Sequence, residues 1–265
     1  MHILLTLAYD GTRYVGWQRQ INGISVQQRL EEALAALLGH AVKTTASSRT
    51  DAGVHALGQR AAFHTQDMRI PLAKLPRVLN ALLPTDISVS HAETVPDGFS
   101  PRFAAKYKTY IYHIHNAPVP NPLLRRYNAF IPHPLNRPAM EKAAPYFIGR
   151  HDFTSFCAAG GSAKTTVREI YACAVSADAD SLALTVTGNG FLYNMVRIIA
   201  GTLVYAGLGK ISPDSIPHIL AAKNRSHAGK TLPPEGLVLA EVSYTALHPA
   251  VDFLHQHIHN EVARR

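Results

Sequence analysis

The sequence predicts an α+β fold: two ferredoxin-like split β-α-β units forming one continuous, mostly antiparallel sheet, with helices on one side and an active-site cleft between the halves. Three observations carry this. Apolar residues alternate strictly or weakly in some segments and follow helical spacing in others. Those segments run strand-helix-strand-strand-helix-strand, and the second half of the chain repeats the order. A chain of 265 residues has room for two small units or one large one.

The elements follow in turn. Residues His2–Tyr9 alternate and read as a strand. Ser25 followed by Gln28 fits a capping box. Leu30, Leu34, Leu37 and Leu38 then keep helical spacing until Gly39. Residues Ala41–Ala46 form a short strand, and Gly58–Thr65 is its hairpin partner. Pro76 suits the first turn of a second helix, which buries Leu75, Val78, Leu79, Leu82 and Leu83 and stops at Pro84. Ile87–Val95 is the fourth strand. The second half opens with a strand at Lys106–His115 and a Pro-rich connection, then a helix around Pro138–Phe147. Strands Val167–Ala177 and Leu182–Thr187 flank a polar turn. A long apolar helix at Phe191–Leu208, a shorter one near Pro213–Ala222 and a strand at Leu237–Tyr244 complete the pattern. The expected division is residues 1–104, 105–246 and a tail, 247–265.

The balance of 26 Lys+Arg against 18 Asp+Glu, a net +8, favours a polyanionic partner, most simply nucleic acid. From Gly98 to Met140 there is no acid at all. That stretch holds Arg102, Lys106, Lys108, Arg125, Arg126 and Arg137 among Phe103, Tyr107, Tyr110 and Tyr112. Cations interleaved with aromatics suit phosphates and unstacked bases, although the tyrosines of a strand also serve simply by facing a core. Cys157 and Cys173 have no metal or disulfide spacing, which fits a reducing cytosol and a cytoplasmic protein. The N-terminus lacks the features of a signal peptide, and the apolar stretch near Ile198–Leu208 is too short to span a bilayer, so no membrane partner is expected.

Asp51 is the only carboxylate between Glu32 and Asp67. It lies two residues after Arg49 and two before Gly53, a residue that tolerates positive φ in a tight loop. An isolated acid beside a guanidinium is suited to act as nucleophile or base. A two-metal nuclease needs clustered acids, and none are seen. Gly160-Gly-Ser-Ala-Lys-Thr165 only resembles a phosphate loop, since Ala163 precedes the lysine. His255, His257 and His259 alternate without a further ligand and read as solvated tail. His55 reads as loop support rather than a proton carrier. Arg197, in an otherwise apolar helix, requires an anionic partner, and Asp51 is the economical candidate. With Arg49 and Arg197 both at hand, the Asp51 pKa is expected to be low. Non-catalytic RNA binding and an Asp-nucleophile glycoside hydrolase remain as alternative classes.

Tyr9-Asp-Gly-Thr-Arg-Tyr-Val-Gly-Trp-Gln-Arg-Gln20, Ser48-Arg-Thr-Asp-Ala-Gly-Val-His-Ala56, Lys108-Thr-Tyr-Ile-Tyr112, His151-Asp-Phe-Thr-Ser-Phe156, Gly190-Phe-Leu-Tyr-Asn-Met-Val-Arg197 and Leu232-Pro-Pro-Glu-Gly-Leu237 span most of the chain. Together they resemble the tRNA pseudouridine synthase A family. The resemblance implies isomerisation of uridine to pseudouridine at tRNA positions 38, 39 and 40 in the anticodon stem-loop. It implies no cofactor and no metal, and a homodimeric assembly. It makes Asp51 the catalytic aspartate and Tyr110 the active-site tyrosine, with Arg49 and Arg197 flanking the acid. Arg19 and the acid-free segment are the candidates for phosphate contacts.

Overall fold

The computed structural model describes residues 1–66 and 68–246. Strand β1 (His2–Tyr9) turns Ile3, Leu5, Leu7 and Tyr9 to the core. Helix α1 (Val26–Leu38) starts where Ser25 Oγ accepts from the Gln28 amide at 3.1 Å and ends at Gly39, at φ +77°. Only the serine half of the expected capping box forms, because the Gln28 side chain donates to Glu32 instead. Next come β2 (Thr44–Ala46), β3 (His55–His64), α2 (Leu75–Leu82), β4 (Ile87–Val95) and a single turn, α3 (Pro101–Ala104). The second half contains β5 (Tyr107–Asn116), β6 (Ala129–Ile131), α4 (Arg137–Ala143), β7 (Gly149–Asp152), β8 (Val167–Asp178), β9 (Ser181–Gly188), α5 (Met195–Gly207), α6 (Ile216–Ala222) and β10 (Leu237–Ser243).

The strands form one ten-stranded sheet along the path β4-β1-β3-β10-β5-β9-β8-β7, with β2 on β3 and β6 on β5. In the first half the order β4-β1-β3-β2 is fourth, first, third, second. In the second half β10-β5-β9-β8 repeats it. This is the order of a split β-α-β unit, so the mostly antiparallel α+β architecture read from the sequence is the one observed. Residues from α1, α2, α4, α5 and α6 share one core with the strands, while Ile111, Ala183 and Val238 form a small separate cluster on the other face.

The seam between the halves is short. Strand β10 runs parallel to β3 through Val238↔His55 and Leu239↔Ala56 only, and antiparallel to β5 through Leu239↔Tyr110. Ala56, Leu239 and Tyr110 therefore form one row across three strands. Two strand spacings, about 10 Å, separate the strand that follows the Asp51 loop from the strand carrying Tyr110.

Sequence expectations change at several points, among them β2, which begins at Thr44 rather than Ala41. Strand β3 begins at His55 rather than Gly58, since the seam with β10 extends it towards the loop. The long apolar helix begins at Met195 rather than Phe191, because the Met195 amide turns back to the Leu192 carbonyl and Asn194 takes φ +59°. The edge strands β6 and β7, three and four residues long, are too short to show a period. The tail with His255, His257 and His259 lies outside the described residues.

Replacing the fully buried Ser25 with Ala removes the cap of α1. Urea denaturation should show a loss of about 1 kcal/mol; an unchanged midpoint would mean that the tertiary contacts of α1 make the cap redundant.

Candidate active site

The loop from Ser47 to Val54 is held by hydrogen bonds at nearly every residue. Gln59, fully buried on β3, accepts from Ser47 Oγ at 2.9 Å and donates to the Ser48 carbonyl at 2.8 Å. The Tyr9 hydroxyl shares a 2.8 Å hydrogen bond with Thr50 Oγ1. The Trp17 amide donates to the Thr50 carbonyl, the Gly53 amide to Tyr14, and the Val54 amide back to Asp51. Gly53 sits at φ +78°, as the sequence requires of it. Gly16, at φ +102°, passes so close that a Cβ would lie 2.5 Å from the Thr50 carbonyl oxygen. His55 fastens the far end: its Nδ1 accepts from the Gly11 amide at 3.0 Å and lies 3.2 Å from Asp10 Oδ1. Its observed contacts are those of loop support.

The second half brings up Arg197 and Tyr110. Arg197 extends from the first turn of α5. Its Nη1 lies 3.5 Å from Asp51 Oδ2, 2.6 Å from Asn194 Oδ1, and its Nε donates to the Leu232 carbonyl at 2.7 Å. Asn194 and Leu232 thus aim the guanidinium that faces Asp51. Tyr110 is 7 % exposed and meets Phe191 edge-on, ring centres 5.1 Å apart. Its charge environment includes Asp51.

The electrostatics correct one expectation. Burial raises the Asp51 pKa above 3.8, and Arg197 opposes that rise without cancelling it. The contact is long and Arg197 spends its shortest hydrogen bonds on Asn194 and Leu232. The second expected guanidinium is missing: Arg49 is exposed, and among the described residues it forms no ion pair with Asp51. The loop backbone that holds Asp51 turns Arg49 outwards. Burial, with help from Tyr9 and Asp51, pushes the Tyr110 phenol far above its ordinary range.

The other sequence candidates scatter. Arg19 is exposed and lies 3.6 Å from Glu31. Tyr107 and Tyr112 are buried and pack in the sheet, Tyr110 is buried beside Phe191, and Phe103 stays 83 % exposed. Sequence reasoning missed Gln59, Asn194, Phe191 and the Leu232 carbonyl. For Asn194 a signal existed, an Asn directly before an apolar helical run; a carbonyl partner has none. Among the described residues no cluster of His, Cys, Asp and Glu suits a metal ion. No helix among them is long and apolar enough to cross a membrane. A hollow of about 410 Å³ lies elsewhere, lined by Ala8, Ser88, His113 and Val238 among others. These alternate along their strands with core residues, so the hollow lies on the opposite face of the sheet. The site is therefore assigned by its chemistry and not by concavity.

A carboxyl whose pKa is higher folded than unfolded makes the fold most stable below the unfolded pKa, and that advantage is lost as pH rises through both values. Asp51→Asn should therefore raise the Tm at pH 7 in a calorimetric scan. A lower Tm would show that the attraction of Arg197 outweighs burial.

The profile of the family described as tRNA pseudouridine synthase matches residues 6–104 and 143–245. The chain is 49 % identical over 243 residues to a protein of Caldicellulosiruptor bescii named tRNA pseudouridine synthase A, covering 92 % of this chain and 99 % of that one. A Ruminiclostridium cellulolyticum protein of the same name is 49 % identical over 91 % of this chain and 99 % of its own. A third, from Geotalea uraniireducens, is 48 % identical over 91 % and 99 %. With these matches over most of its length, the chain belongs to the tRNA pseudouridine synthase family.

Proposed function

We propose that this isomerase converts uridine to pseudouridine at positions 38, 39 and 40 of the tRNA anticodon stem-loop, with Asp51 as the catalytic carboxylate. It works in the cytoplasm, as a homodimer, without metal or cofactor. Residues 1–104 supply the catalytic loop, and 105–246 complete the site. The observation that carries the reading is a partly buried carboxylate facing Arg197 from the other half of the chain at 3.5 Å, in a site that also holds the buried Tyr110. The position numbers are what the family resemblance implies.

The reaction breaks the C1′–N1 bond of the nucleotide, turns the uracil and forms a C1′–C5 bond. The target leaves its stack to reach the acid. Ionised Asp51 then attacks C1′ or the base, or removes a sugar proton on a glycal route; all three need the carboxylate, not the acid. Arg197 favours that ionised form. Tyr110 remains a neutral phenol at ordinary pH, so it offers an aromatic surface to the flipped base. To take the C5 proton it must release its own as it does so. Asp51 is the nearby acceptor. Arg49, turned outwards, is available to the RNA, and Arg19 serves as a peripheral phosphate contact.

Asp51→Asn should lower kcat by about 10⁴-fold or more, the scale set by removing a nucleophile, while tRNA binding persists. Chemical detection of pseudouridine in unmodified tRNA checks this; near-normal turnover would remove Asp51 from the chemistry. The acid limb of kcat/KM should lie above the ordinary Asp value of 3.8. Arg197→Met should move that limb to higher pH, because the charge that lowers the Asp51 pKa is gone. A limb that stays in place would assign it to another group.

A further inference from the structure

A second group of cations lies beside the same site. Lys108 is two residues before Tyr110 on β5, so both side chains leave the same face of the sheet. Its Nζ is half-buried and donates to the Ser47 carbonyl at 2.7 Å, at the base of the Asp51 loop. Arg168, on β8, has the same parity as the core residue Ile170 and so shares that face. Its stem runs past Gly190, the residue before the Phe191 that meets Tyr110; a Cβ there would lie 3.7 Å from Arg168 Nε. Arg102 projects from α3 and is exposed.

These cations act on one another and find no acid. Among the described residues Arg168 Nη1 donates to the Thr165 and Val167 carbonyls and the Thr165 hydroxyl. Arg102 sits over the Phe103 ring. Among the described residues none of the three forms an ion pair with a carboxylate. Elsewhere on the molecule cations find them, as Arg13 does in Asp86 and Lys142 in Asp214. Burial, with the charges of Arg102 and Arg168, pushes the Lys108 ammonium down to about 8. Burial and Arg102 also lower Arg168, with the Cys157 thiol opposing them. A self-repelling group with no paired carboxylate is unfavourable in the free protein and is relieved by an anion.

We propose that Arg102, Lys108 and Arg168 form a phosphodiester-binding site that grips the RNA backbone beside the flipped nucleotide. The site rests on the RNA-isomerase reading above and adds to it a contact point on the opposite side of Tyr110 from Arg197. Lys108 ties that point to the Asp51 loop through Ser47, so the backbone grip and the catalytic loop share one anchor.

The test measures binding of an unmodified anticodon stem-loop RNA to the full chain across a range of salt concentrations. Each phosphate contact contributes about 0.7–0.9 to the slope of log K against log salt. Arg102→Gln and Arg168→Gln should each reduce the slope by about that amount, and the double variant by about twice as much. Arg168→Lys, which keeps the charge, should restore the slope. A thermal melt of each variant confirms folding, and the exposed Arg102 provides an arm free of structural bonds. Slopes equal to wild type in the folded Arg102 and Arg168 variants would overturn the proposal. Wild-type protein that forms pseudouridine while the slopes stay unchanged leaves the functional reading standing and removes only this site. Wild-type protein that forms none removes the reading itself.

Discussion

Asp51 and Arg197 are 146 residues apart in the chain and 3.5 Å apart in space, and that contact organises the site. Neither residue is held there by the other alone. Asp51 is set by a loop whose backbone bonds to Trp17, Tyr14 and Gln59. Arg197 is set by Asn194 and the Leu232 carbonyl. Because each partner has its own scaffold, the contact brings two prepared surfaces together and does not have to build them. A guanidinium with several acceptors can remain partly buried at acceptable cost, whereas one with a single acid could not.

The seam of the sheet makes this possible. Only two residue pairs join β3 to β10, yet they fall directly after the Asp51 loop and one strand from Tyr110. A parallel join elsewhere along β3 would carry the loop away from Arg197. The cost appears in the acid. Burial raises the pKa of Asp51 despite the neighbouring charge, so the fold holds this carboxyl in an environment that disfavours its ionised form. A carboxylate poorly solvated in this way is also more reactive than one in water.

Much of the fold was legible. Strands β1 and β4 begin and end where alternation places them, and α1 runs from its Ser cap to its Gly stop, because these elements bury one regular face. Edge strands β6 and β7 were not legible, since three or four residues carry no period. The start of α5 was misplaced because Phe191 and Leu192 are apolar for contact with Tyr110 and the core, not as helix turns. In the site, the isolation of Asp51 and the apolar setting of Arg197 pointed to their pairing. The direction of the Asp51 pKa did not follow from sequence: proximity of Arg49 along the chain suggested a second cation, and only the loop conformation shows that side chain leaving. Burial of a carboxylate is likewise a tertiary quantity with no local signal.

The most direct test of the account is a crystal structure of the protein with an unmodified tRNA anticodon stem-loop. The account places an extruded uridine with its C1′ and base within contact of the Asp51 carboxylate, its ring against Tyr110, and Arg197 still facing the acid. A bound stem-loop whose target base remains stacked and distant from Asp51, with the Asp51–Arg197 contact broken, would contradict it.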